Sequence, residues 1–341
     1  MKQKILIIYT GGTIGMLKEP ETGSLVPFDF NQITKFVPEL KELGFEISAI
    51  AFEPPMDSAN VNTLVWINLV MHIYDNHDFY DGFVILHGTD TMSFTASALS
   101  FMLSNLQKPV IFTGSMLPIG IIRTDGKENL ITSVEMAAAQ SDGRAIVPEV
   151  CIYFERNLFR GNRTIKNNTE SFNAFRSYNY PSLATAGVNI VYNYPFIRIP
   201  DRSKNLHIFT KLSTDVALIK IFPGMSLDVI KSIFETHNLR AVVMETYGTG
   251  NATTDPRFLN LIREATKKGI IIMNITQCKQ GKVEMGRYET SIELKNIGVV
   301  SGSDITAEAA VTKLMVLLGH SNDTNFIMKY LNTSISGEMT I

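Results

Sequence analysis

The chain has 341 residues, 45% of them hydrophobic and 19% charged, with a net charge of −2. That length exceeds one ordinary core and predicts two domains, while the near-neutral balance excludes a basic nucleic-acid footprint. Apolar runs of strand length, only two cysteines and no metal-ligand spacing argue against a membrane span, a disulfide scaffold and a zinc site.

The first half alternates apolar strand-length runs with helical patterns. Strands are predicted over 4–9, 45–52, 82–87, 110–113 and 147–154. Helices are predicted over 31–43, 61–76, 91–106 and 125–140. In 91–106 the apolar positions Phe94, Ala98, Phe101 and Met102 recur at helical spacing. This alternation predicts βαβ units, an α/β class and a mostly parallel sheet. Residues 161–212, rich in Asn, Arg, Tyr and Pro, break the rhythm. They read as a hairpin-like region followed by a linker over 196–212. The rhythm restarts with strands over 216–221, 241–246 and 270–275, and helices over 227–236, 255–268 and 307–318. The domains are therefore expected at 1–195 and 213–341. The N-terminus carries no signal-peptide pattern. Cys151 and Cys278 both lie in apolar segments, so reduced thiols and a cytoplasmic location are expected.

Four clusters carry candidate chemistry. The first is Thr10-Gly11-Gly12-Thr13-Ile14-Gly15, directly after the first strand. Glycines allow a ligand close to backbone N–H groups, and the mouth of a parallel sheet is where α/β proteins keep reactive groups. Thr13 is thus a candidate nucleophile. The second is His87-Gly88-Thr89-Asp90-Thr91-Met92, which repeats strand, glycine, threonine. Its polar residues have an alternative use as helix caps. The third, Asp57-Ser58, follows the second strand and could bind polar substrate ends or cap the next helix. The fourth, Arg160-Gly161-Asn162-Arg163-Thr164-Ile165-Lys166, supplies a lysine. Beside a carboxylate and a hydroxyl, such a lysine can move a proton without a histidine. None of the six histidines falls in a catalytic motif, and His87 reads as structural. The glycine spacing is not that of a dinucleotide site, and no cofactor is expected.

These clusters, in this order, resemble the bacterial-type L-asparaginase family. Pro55-Met56-Asp57-Ser58 and the Arg160–Lys166 motif (Arg160-Gly-Asn-Arg-Thr-Ile-Lys) are similar to its cytoplasmic, type I branch. Tyr247-Gly-Thr-Gly-Asn251, Thr276-Gln-Cys278 and Gly281-Lys-Val-Glu-Met-Gly-Arg-Tyr288 extend the likeness over nearly the whole chain. The resemblance implies a two-domain asparaginase-like fold with a larger N-terminal and a smaller C-terminal domain. It implies hydrolysis of L-asparagine to L-aspartate and ammonia, with no metal. Thr13 would be the nucleophile, with Thr89, Asp90 and Lys166 as a proton relay. Asp57, Ser58, Thr89 and Asp90 would hold substrate, and Ala59 would contribute only backbone. Asn251 of the partner subunit would complete the site, making the protein a homodimer or homotetramer.

The sequence also departs from that pattern. Leu25 stands where many relatives carry a lid tyrosine, and Tyr288 is the candidate replacement. The segment 16–27 is expected to close over substrate as a lid. Glu245 and Ile165 stand where a regulatory asparagine site would need arginine and threonine, so asparagine activation is expected to be weak or absent. Alternatives are a mixed glutaminase–asparaginase, a catalytically silent amino-acid-binding protein, and an amidotransferase subunit. The last would need a further N-terminal domain, for which the sequence before Thr13 leaves no room.

Overall fold

Strand runs without polar alternation need cover on both faces, and the first unit supplies it. In the computed structural model, which describes residues 2–18, 25–27 and 33–341, Lys4–Tyr9 buries Ile5, Leu6, Ile7 and Ile8. Gly82–Leu86 and Val110–Thr113 are buried throughout. Each such side chain contributes about 1.5–3 kcal/mol on burial. The sheet order is Ile190–Tyr192, Ala184–Ala186, Asn157–Arg160, Val150–Phe154, Val110–Thr113, Gly82–Leu86, Lys4–Tyr9, Glu46–Ala51. The last five strands in that order run parallel. The first three join antiparallel. The connection from Lys4–Tyr9 leads to one side and the connection from Gly82–Leu86 to the other. That reversal opens a crevice at the C-terminal ends of these two strands, where open α/β sheets bind ligands.

Helices Thr63–Asn76, Met92–Met102 and Gly126–Ala138 occupy the expected positions with slightly shorter ends. Met92–Met102 is buried on nearly every side, including Ser93, Thr95 and Ser97, rather than along one apolar stripe. The expected helix over 31–43 is not continuous. Ile33–Phe36 is α-helical and Pro38–Lys41 forms a 3-10 turn. Pro38 has no N–H and disfavours helical geometry at Val37, so the helix stops there. Two short hairpins were not anticipated. Met16–Lys18 pairs with Leu25–Pro27, while residues 19–24, at the centre of the expected lid, lie outside the described residues. Gln140–Ser141 pairs with Arg144–Ala145 through Asp142 and Gly143, both at positive φ, the geometry a two-residue hairpin turn requires.

The chain divides into two compact units, Met1–Thr210 and Lys211–Ile341. Within the first, His207–Ile208 pairs with Leu103–Ser104, and the Arg198 N–H donates to Glu149 at 2.6 Å. The second unit holds four parallel strands in chain order: Val216–Lys220, Ala241–Thr246, Ile271–Thr276 and Val300–Ser301. Its helices include Leu227–Phe234, Pro256–Lys267 and Ala307–His320. Sequence periodicity missed Glu289–Ile297 and Thr324–Leu331. Cys151 is buried as expected, but Cys278 is exposed. It follows the end of the Ile271–Thr276 strand, where the apolar run has already given way to loop.

Candidate active site

Three turns leave the C-terminal ends of adjacent parallel strands and lock onto one another. The Thr10 N–H donates to Leu86 O at 3.0 Å, and the Met56 N–H donates to Thr10 O at 2.8 Å. Gly12, at φ +89°, is required: a Cβ there would stand 2.6 Å from Gly88 Cα. A Cβ on Gly88 would stand 2.5 Å from Ser58 Oγ. The first approach is backbone against backbone and leaves position 12 to glycine, and the second packs Gly88 against the Ser58 side chain. They place the residue after Gly12 and the residue after Gly88, Thr13 and Thr89, on neighbouring turns of one crevice. Thr13 opens a 3-10 turn, Thr13–Gly15, and is half-buried. Among the described residues its hydroxyl and that of Ser58 make no hydrogen bond.

Lys166 reaches this crevice from 77 residues away. Its ammonium donates to Thr89 Oγ1 at 2.8 Å and pairs with Asp90 Oδ1 at 2.6 Å. The lysine side chain is 16% exposed and the aspartate 63%. Neither Thr89 nor Asp90 caps the following helix. Thr91 stands at the N-cap without a side-chain capping bond, and its hydroxyl donates to Ser58 O at 2.7 Å instead. Asp57 does cap: its Oδ1 accepts the Ala59 N–H at 2.8 Å, fixing the Ser58–Asn60 turn. The Ala59 N–H is thereby committed.

The segment carrying the lysine is held by a pairing that sequence reasoning did not single out. Arg160 makes a buried two-point ion pair with Glu149, at 2.6 and 3.1 Å. Its guanidinium lies 4.3 Å from the centre of the Tyr180 ring. The Gly161–Arg163 turn then leads to Ile165–Lys166, which pairs with Phe175–Arg176. The sequence signals were Arg160 at the head of the fourth cluster and Glu149 inside the strand predicted over 147–154.

His87 is buried beneath the crevice. Its Nδ1 lies 2.7 Å from Gly88 O and its Nε2 3.0 Å from Thr95 Oγ1. Burial pushes its pKa down to about 4, so at neutral pH the ring is uncharged and donates from Nδ1. The folded state then binds fewer protons than the unfolded one between about pH 4 and 6.5. Stability therefore falls as pH drops through that window. Urea melts of wild type and His87→Gln are expected to show about 2 kcal/mol more loss from pH 7 to 5 in wild type. Parallel slopes would refute this.

Asn251 and Tyr288 belong to the second unit. Asn251 closes a bridge with Tyr247, and Tyr288 is half exposed beside Arg287 at the start of Glu289–Ile297. The Leu25 side chain lies outside the described residues. Among the described residues no group of three or more His, Cys, Asp or Glu could hold a metal, and no helix is long and apolar enough to cross a membrane.

The family description "Asparaginase, N-terminal" matches residues 4–198, and "Glutaminase/Asparaginase C-terminal domain" matches 215–331. The chain belongs to the asparaginase family. It is 39% identical to L-asparaginase 1 of Escherichia coli (strain K12), over 99% of this chain and 98% of that one. It is 36% identical to a 60 kDa lysophospholipase of Mus musculus, over 100% of this chain and 63% of that protein. Among solved structures, L-asparaginase I from Vibrio cholerae superposes with a TM-score of 0.91 at 36% identity, over the whole of both chains. The family fold is thus shared throughout, with both asparaginase domains present.

Proposed function

We propose that this protein hydrolyses L-asparagine to L-aspartate and ammonia through an acyl-enzyme on Thr13. The observation that carries the reading is the Lys166–Thr89–Asp90 cluster on the turn next to that of Thr13, whose hydroxyl makes no hydrogen bond among the described residues. Thr13 Oγ attacks the side-chain amide carbon and its proton passes to the relay. The oxyanion formed is held by backbone N–H groups of the glycine turns, donors fixed before reaction. Collapse breaks the C–N bond, and the leaving nitrogen takes the proton and departs as ammonia. Water then attacks the Thr13 ester, its proton passes through Thr89 and Lys166 to Asp90, and the relay returns that proton to Thr13 Oγ as the ester C–O bond breaks and aspartate leaves. Ser58 and Asp57 hold the α-carboxylate and α-amino ends, with Asp90 facing the ammonium. In this reading Asn251 of the partner subunit, and Tyr288, complete the site in a cytoplasmic homodimer or homotetramer.

The alternatives separate in one assay. Ammonia release with L-asparagine and no turnover with glutamine supports an asparaginase. Equal turnover of both makes it a mixed enzyme, since one methylene is worth only about 1–3 kcal/mol. Saturable aspartate binding without ammonia release from either amide would make it a binding protein.

The rate curve with asparagine is expected to be hyperbolic. Glu245 lies 3.8 Å from the exposed Lys220, and it helps burial to hold the Glu308 carboxyl above its ordinary range. This half-buried acidic pair repels the carboxylate of an effector. A sigmoidal curve would refute that expectation.

A further inference from the structure

The turn that carries Thr13 is pinned at three points. The first is Gly12, packed against the Gly88 backbone. The second is Ile14, a buried side chain that lies 3.3 Å from where a Cβ on Gly126, the first residue of the helix Gly126–Ala138, would stand. The third is Gly15. Its N–H donates to Gly12 O at 3.1 Å and the Met16 N–H donates to Thr13 O, which closes the 3-10 turn. A Cβ on Gly15 would stand 2.5 Å from Tyr9 Cε2 and closer still to Cζ and Oη.

The backbone does not ask for glycine at position 15. Gly11 and Gly12 have φ of 135° and 89°, whereas Gly15 is not in the left-handed region. The requirement comes from the Tyr9 ring. Tyr9 ends the strand Lys4–Tyr9, which is paired on both sides: it stands opposite Ala51 on one neighbour and Leu86 on the other. Tyr9 is 1% exposed and shares a buried cluster with Ile14 and Ile119. A ring packed at interior density does not swing aside to admit a methyl group. Burial pushes the phenol pKa up to about 12, so the ring stays neutral at working pH and acts by shape, not by proton transfer.

We propose that Tyr9 is a positioning residue for Thr13: its ring is the seat on which Gly15 rests, and it sets how far the Thr13 turn stands above the sheet. This role rests on Thr13 being the nucleophile. Attack requires the hydroxyl in near contact with the amide carbon, and a displacement of about 1 Å can cost about 10²-fold in rate. A methyl group added at Gly15 lifts the turn off the ring. A smaller side chain at position 9 lets the turn sink. The two errors have opposite sign, so together they compensate.

The test is steady-state ammonia release from L-asparagine by the full chain and its variants, with urea melts to establish that each is folded. Gly15→Ala is expected to lower kcat by about 10²-fold with KM within about threefold of wild type, because the error lies in the reacting hydroxyl and not in substrate binding. Tyr9→Leu adds no atom, so it decides the question even where Gly15→Ala fails to fold. It is expected to lower kcat at least about tenfold, again with little change in KM. Tyr9→Phe keeps the ring and should hold kcat within about threefold of wild type, with an unchanged pH–rate profile. Tyr9→Leu/Gly15→Ala should recover at least about tenfold over Gly15→Ala, since the new methyl group enters the space the ring vacates. A kcat within about threefold of wild type in Gly15→Ala or Tyr9→Leu would overturn the seat. So would additive losses in the double variant, or a shifted pH profile in Tyr9→Phe. Thr13→Ala, measured beside them, separates the two readings. If it is inactive while Gly15→Ala turns over at the wild-type rate, the nucleophile stands and the seat falls. If it keeps the wild-type rate, both fall.

Discussion

Thr13→Ala is expected to lower kcat for L-asparagine by about 10⁴-fold or more, because loss of a nucleophile removes the covalent route altogether. Thr13→Ser, which keeps a hydroxyl, should retain measurable turnover. The alanine variant should fold normally, since the Thr13 hydroxyl makes no hydrogen bond among the described residues. Thr89→Val and Lys166→Met each remove the contact at 2.8 Å, and each is expected to cost about 10²–10⁴-fold, the range for one proton-transfer partner. The double variant Thr89→Val/Lys166→Met should lose little more than either alone, because residues acting as one relay are not additive. Near wild-type ammonia release from both Thr13→Ala and Thr89→Val would refute the assignment. So would additive losses in the double variant, which would separate Lys166 from Thr89.

The second large effect is on stability. Lys313 and Glu338 form an ion pair at 2.7 Å in the second unit, with both side chains fully buried. Lys313 also donates to Thr333 O at 2.7 Å, and Glu338 accepts the N–H groups of Ile335 and Ser336 at 3.0 and 2.7 Å. The pair thus ties the C-terminal segment 333–341 to the helix Ala307–His320. Removing one partner strands a buried charge or forces it to neutralise. Lys313→Met is expected to cost about 3–5 kcal/mol, read as a fall in the urea midpoint. Lys313→Met/Glu338→Leu should be more stable than either single variant, because it removes both buried charges at once. A single variant within about 0.5 kcal/mol of wild type would show that the pair is not essential.

Much of this molecule was legible before folding. The runs 4–9, 110–113 and 241–246 coincide with observed strands, because a segment buried on both faces is apolar without alternation. The helix over 31–43 was misread because the apolar pattern runs on through Pro38, where local backbone chemistry overrides it. The helices Glu289–Ile297 and Thr324–Leu331 were missed where Leu227–Phe234, equally short, was found, because its apolar stripe is sharper. At the candidate site, Asp57 had two readings, ligand holder or cap. One carboxylate oxygen, Oδ1, accepts the Ala59 N–H and caps the turn, which leaves Oδ2 for a ligand. Thr89, Asp90 and Thr91 had the same alternative use as caps, but their side chains bond to Lys166 and Ser58 rather than to the helix.

The sequence by itself determined the α/β class, the strand–glycine–threonine turns and the chemical character of each cluster. Those properties depend on neighbours a few residues apart, where periodicity, glycine and proline act directly. Only the tertiary structure decided that Lys166 meets Thr89, that Glu149 and Arg160 hold its segment, and that Lys313 finds Glu338. These contacts depend on which strands lie side by side and on the path of the chain between them. Strand order is a property of the whole packed sheet, and no local pattern encodes it.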